Sequence, residues 1–140
     1  MILIKALENG TALVFLLLFV ISFSDIFAYF GGKRFGNTPL APSISPKKTW
    51  EGSLIGAGVS ALFAGLYTEL ILDYFWLTGI LLGLVTAAVG QMGDLVESRV
   101  KRLCEVKDSG SLLPGHGGIL DRVDGYLIAA PVYYYLLLLG

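Results

Sequence analysis

The chain has 140 residues, 55% of them hydrophobic and only 15% charged, at a mean hydropathy of +0.74; an ordinary soluble domain carries roughly a quarter charged residues. Ten Lys and Arg against eleven Asp and Glu give a net charge of −1, so no basic excess points to nucleic acid. The single Cys104 excludes an internal disulfide and, with only one histidine, an ordinary structural zinc site, which leaves an integral membrane protein, one domain or part of one.

Four stretches are long and apolar enough to be read as membrane spans. Gly10 to Ser24 carries no charge and continues through Asp25 to Phe30. No small-residue cleavage site follows it, so a signal peptide is a poor account. Ser53 to Leu72 holds one charge, Glu69, near its end. Tyr74 to Gly93 is uncharged, and about 20 such residues cross a hydrocarbon core of roughly 30 Å. Gly125 to Gly140 is shorter and spans only with little tilt or a locally thinned bilayer. The alternative, buried helices of a soluble bundle, fits poorly with so many uncharged runs. Small residues recur at four-residue spacing, as Gly52, Gly56, Ser60 and Ala64, then Gly79, Gly83 and Ala87. Such stripes let helix backbones approach closely in lipid and read as packing ridges.

The connecting segments separate by charge. The loop after the first span holds Lys33, Arg34, Lys47 and Lys48; the loop after the third holds Arg99, Lys101, Arg102, Lys107 and Arg122. The turn near Glu69 and Asp73 has no basic residue. Nine of the ten basic residues thus share one face, with Lys5 the exception, and the positive-inside rule makes that face cytoplasmic. Both termini then lie on the far side. The expected fold class is an all-α integral membrane protein of about four transmembrane helices with two polar cytoplasmic loops.

In the first loop, Asp25 lies near the cytoplasmic interface, where an ionisable residue is a functional candidate or a packing carboxylate paired with Lys33 or Arg34. Gly31, Gly32 and Gly36 beside Lys33 and Arg34 suit a phosphate cradle, but the spacing is not that of a P-loop. Lys47 and Lys48 in SISPKKTWEG read as a phosphate clamp or as an anchor for lipid headgroups.

The later loop is denser. Asp94, Glu97 or Ser98, and Lys101 share a helix face by their spacing. Asp121 and Asp124 point the same way if a helix begins near Ile119. Asp94 ends one span and this pair begins another, so three carboxylates can converge. Among Lys and Arg they suit Mg²⁺ with phosphate oxygens, or else a salt-bridge belt under the headgroups. His116 in its Gly-rich turn suits a phosphate hydrogen bond or a structural role, and Cys104 reads as inert.

Ser98 to Asp124, SRVKRLCEVKDSGSLLPGHGGILDRVD, resembles the signature segment of the phosphatidate cytidylyltransferases (CDP-diacylglycerol synthases). The upstream SDIFAYFGGKRFGNTPLAPSISPKKTWEG and QMGDLVES look like the same family, so the resemblance covers nearly the whole chain. Members are usually much longer, so residues 1–140 look like a C-terminal membrane catalytic region without the N-terminal helices. The resemblance implies transfer of CMP from CTP to phosphatidic acid, giving CDP-diacylglycerol and pyrophosphate, with Mg²⁺ as cofactor. It implies Asp94, Asp121 and Asp124 as the metal ligands and, with Lys101, as the catalytic set. Lys47, Lys48, Ser98, Arg102, Lys107, His116 and Arg122 would bind substrate. CTP, phosphatidic acid and membrane lipids are the expected partners, together with either a second copy in a homodimer or a separately supplied N-terminal half. The expected location is the bacterial inner membrane, active face toward the cytoplasm. Two rival readings are a CTP-dependent polyprenol or phytol-type lipid kinase and an inactive, truncated lipid-binding helical module.

Overall fold

A computed structural model describes residues 1–104 and 120–139, the side chains of residues 120–123 excepted. A single short turn of helix, α1 (Ile2–Lys5), leads into α2 (Gly10–Phe35). A two-stranded antiparallel hairpin follows, β1 (Pro39–Ala41) and β2 (Ser45–Thr49), with Pro39 opposite Thr49 and Ala41 opposite Ser45. The chain then continues as α3 (Trp50–Ile71), α4 (Trp76–Leu103) and α5 (Leu120–Leu139). Three helices, α2, α3 and α4, are long and apolar enough to cross a membrane, and the apolar part of α5, Asp124–Leu139, is shorter. The fold is that of an α-helical membrane protein, as the hydropathy pattern predicts.

Two features shape the polar segments. The first polar segment is not one open loop: α2 runs on through Gly31, Gly32, Lys33 and Arg34 to Phe35, and a hairpin fills most of the remainder. Gly31 and Gly32 are therefore helical packing residues rather than a phosphate cradle. The second feature is the length of α4, whose 28 residues reach about 42 Å at 1.5 Å per residue. That exceeds a hydrocarbon core of roughly 30 Å, so the last turns, with Glu97, Ser98, Lys101 and Arg102, extend past the apolar span.

The small-residue stripes pack as expected. Gly52, Gly56, Ser60 and Ala64 of α3 are buried, as are Gly79, Gly83 and Ala87 of α4. Helix α3 lies between α2 and α4, and α5 lies against α4. The approach is closest at Gly52, where an added Cβ would stand 2.5 Å from the Ala28 carbonyl oxygen and 2.9 Å from the Gly32 backbone. Larger side chains from α2 (Leu13, Leu16, Leu17, Val20, Ile21) fill the centre against Ala57, Ala64, Ala87, Ala129 and Tyr133. The hydrophobic effect does not drive helices together in lipid, so polar ties add to this packing. The hydroxyls of Tyr67, Ser60 and Tyr133 donate to the α2 carbonyls of Ala12, Val20 and Leu13 at 3.1, 3.0 and 3.0 Å.

Each end of the bundle is closed by local chemistry. At the turn between α3 and α4, Asp73 adopts a left-handed conformation (φ 55°). Glu69 there accepts the Trp76 N–H at 3.1 Å, so this acidic residue caps the next helix. At the opposite end Thr49 is the N-cap of α3, its hydroxyl oxygen accepting the Gly52 N–H at 3.3 Å. Glu51 in the first turn accepts the Thr38 N–H at 3.1 Å, and the Trp50 N–H donates to the Thr38 carbonyl at 3.0 Å. The hairpin is thus tied to the start of α3, and this fixes where β2 presents its lysines.

Candidate functional site

The site forms where three elements meet at the basic end of the bundle. Helix α4 presents Asp94 and Glu97, three residues apart and hence on one face. Helix α5 brings Asp124 to the same place. One carboxylate oxygen from each of Asp94, Glu97 and Asp124 lies within 4.8 Å of the others, and all three side chains are half-buried. Asp124 also accepts the Gly125 N–H at 2.7 Å, which fixes its carboxylate near the start of α5. Close backbone contact permits the meeting. A Cβ at Gly93 would lie 3.2 Å from the Asp124 carbonyl oxygen and 3.4 Å from Gly125, so α4 and α5 touch beside the cluster.

The cluster has its own cationic neighbours. Lys48 of β2 is ion-paired with Asp94. Lys101 lies one turn beyond Glu97 on α4, with its Nζ 3.6 Å from Glu97 Oε1. Asp25 of α2 is within the electrostatic reach of Asp94, Lys48 and Asp124. Among the described residues it has no ion pair with Lys33 or Arg34, so the packing pair considered from the sequence does not form. Arg34 instead lies over the Phe35 ring, 5.6 Å from its centre.

Several other expected residues take definite positions. The Ser98 hydroxyl is 3.5 Å from Asp94 Oδ1, at the outer limit of a hydrogen bond. Arg102 directs its Nε toward the Ile44 carbonyl at 3.5 Å, so it braces the hairpin turn. Lys47 and Lys48, adjacent in β2, alternate across the strand; Lys48 reaches Asp94 while Lys47 is exposed. The two lysines thus face different surroundings, Lys48 the carboxylates and Lys47 the exterior. Lys107 and His116 lie outside the described residues. So do the side chains of Asp121 and Arg122, although both residues belong to the first turn of α5.

Glu97 is the member of the carboxylate cluster that the sequence did not single out. Its i+3 spacing from Asp94 placed it on the right face, but nothing in the sequence set it apart from Ser98 at i+4. The resulting donor set consists only of carboxylate oxygens, which suits a hard divalent cation.

Comparison with known proteins agrees with the resemblance. The profile of the Cytidylyltransferase family matches residues 1–139. A phosphatidate cytidylyltransferase of Synechocystis is 52% identical over 117 residues, covering 83% of this chain and 40% of the relative. Those of Aquifex aeolicus and Bacillus subtilis are 43% and 44% identical, covering 99% and 94% of this chain but 52% and 49% of their own lengths. The chain thus spans about half the length of the curated relatives it matches. With a profile match along nearly its whole length and carboxylates and lysines gathered at one end of a membrane bundle, the chain belongs to the cytidylyltransferase family.

Proposed function

We propose that this chain supplies the C-terminal catalytic region of a phosphatidate cytidylyltransferase, moving CMP from CTP to phosphatidic acid. The observation that carries the reading is the meeting of Asp94, Glu97 and Asp124, with Lys48 on Asp94, inside a sequence that matches the family from end to end.

In the proposed reaction a phosphate oxygen of phosphatidic acid forms a bond to the α-phosphorus of CTP. The bond from that phosphorus to the bridging β-oxygen breaks, and pyrophosphate leaves with the electron pair. The attacking phosphomonoester is already ionised near neutral pH, its second pKa being roughly 6, so no strong general base is required. What the site must supply is neutralisation and alignment of two polyanions. Asp94, Glu97 and Asp124 would hold Mg²⁺, with Asp121 as a further candidate on the same helix turn. Bound there, Mg²⁺ would offset charge on the triphosphate and on the departing pyrophosphate. Lys48 and Lys101 stand beside these carboxylates and would take phosphate oxygens. Arg102 would hold the hairpin, and thereby Lys48, in place. Ser98, Lys107, His116 and Arg122 are the remaining candidates for CTP contacts, and the exposed Lys47 suits lipid headgroups instead. The positive-inside distribution supports a cytoplasmic site, and bacterial relatives support the bacterial inner membrane.

The test is incubation of the reconstituted chain with Mg²⁺, phosphatidic acid, a polyprenol and CTP labelled in its α-phosphate, alone and as an N-terminally extended form. Label appearing in CDP-diacylglycerol, with stoichiometric pyrophosphate, supports the reading. Label retained in CDP, with a lipid alcohol phosphorylated, would establish the kinase instead. No product from either form would reduce the chain to a lipid-binding module.

A further inference from the structure

A second polar cluster lies inside the bundle, directly behind the carboxylates. Gln91 of α4 is half-buried, and its side-chain amide touches two other helices. The Nε2 donates to Ser24 Oγ of α2 at 2.8 Å and to the Ser53 carbonyl of α3 at 3.2 Å. In return the Ser53 hydroxyl donates to Gln91 Oε1. Both donor hydrogens and the carbonyl oxygen of one carboxamide are thus engaged, within a membrane helix bundle where an unmet polar group is costly.

What makes the position informative is where each tie leads. On α4, Gln91 precedes Asp94 by three residues and shares its face. On α2, Ser24 is followed immediately by Asp25. On α3, Ser53 lies in the first turn, four residues after Thr49, the last residue of the strand that carries Lys48. A single side chain therefore joins the three segments that carry Asp94, Asp25 and Lys48. Among the described residues, the Ser60, Tyr67 and Tyr133 hydroxyls differ in that each ties one helix to α2 alone.

We propose that Gln91 is a positioning residue for the carboxylate site: its amide sets the spacing of α2, α3 and α4 one turn behind Asp94, and so the alignment of Asp94 with Asp25 and Lys48. The inference rests on the metal-dependent reading of the site above. Groups that orient metal ligands from outside typically change metal affinity by about 10- to 100-fold when replaced.

The measurement is Mn²⁺ affinity by electron paramagnetic resonance on the purified chain in nanodiscs, with thermal unfolding recorded in parallel. Gln91→Leu keeps much of the volume and removes all three bonds, so Mn²⁺ should bind about 10- to 100-fold more weakly. Ser24→Ala removes only the bond from Gln91 Nε2 and changes little volume, which guards against misfolding, and should weaken binding by a smaller factor. Ser60→Ala removes an interhelical bond of 3.0 Å to Val20 away from the site. It should lower the melting temperature and leave Mn²⁺ affinity within twofold. Wild-type binding with equal affinity in Gln91→Leu and Ser24→Ala would overturn the positioning role alone. A Ser60→Ala protein weakened as much as Gln91→Leu would overturn it too, as a general packing effect. Absence of Mn²⁺ binding by the wild-type chain would overturn the metal reading and this inference with it.

Discussion

Replacing Gly52 by alanine should damage the site more than the fold. Ordinary van der Waals contact begins near 3.4 Å, and the new Cβ would stand 2.5 Å from the Ala28 carbonyl oxygen. It would also stand 2.9 Å from Gly32 Cα and N, so no flexible side chain can give way. The helices α2 and α3 must therefore part by close to an ångström at this level. Overpacking of this kind costs about 1–3 kcal/mol, partly offset by the better helix propensity of alanine, about 1 kcal/mol. The displacement falls three residues from Thr49 and four from Lys48, at the end of α3 that holds the hairpin. A misplacement of about 1 Å in catalytic groups can cost on the order of 100-fold in rate. The control is Gly58→Ala on the same helix, where an added Cβ meets nothing within 4 Å. Thermal unfolding in detergent and formation of CDP-lipid from labelled CTP are the two assays. Gly52→Ala should melt earlier and lose about 100-fold in turnover, while Gly58→Ala keeps both. Equal melting and equal turnover in the two variants would refute the close-approach argument.

Other outcomes follow from the same geometry. Asp94→Asn keeps the shape but removes the charge that holds Lys48. With both side chains about one-third exposed (30% and 34%), the ion pair contributes only about 1 kcal/mol or less to stability. Unfolding should therefore shift little while Mg²⁺-dependent turnover is lost, and retained turnover would remove Asp94 from the metal set. Lys48→Met should raise the KM for CTP, whereas Lys47→Met on the opposite side of β2 should leave it nearly unchanged; equal effects would contradict the strand alternation. Tyr133→Phe, which deletes the buried bond to Leu13, should cost about 0.6 kcal/mol and at most about 1.7. Its turnover should be normal, because it acts far from the carboxylates, and unfolding by heat and the CDP-lipid assay together check this.

The sequence by itself determined the membrane class, the spans and the gathering of charge at one end. These properties are local: hydropathy is summed along a helix, and loop charge needs only the alternation of spans. It also carried the family resemblance, because motif spacing is a property of the chain alone. Tertiary structure decided which charges meet. Glu97 and Ser98 were equivalent by periodicity until α5 came to lie beside α4 and brought Asp124 within reach of Glu97. Lys47 and Lys48 were equivalent until the hairpin turned only Lys48 toward Asp94. Asp25 had nearer cations in sequence at Lys33 and Arg34, yet among the described residues it forms no ion pair with either. The physical reason is the same in each case: a helix or strand fixes directions within itself, but the distance between elements is set by packing, here by glycines that let backbones touch.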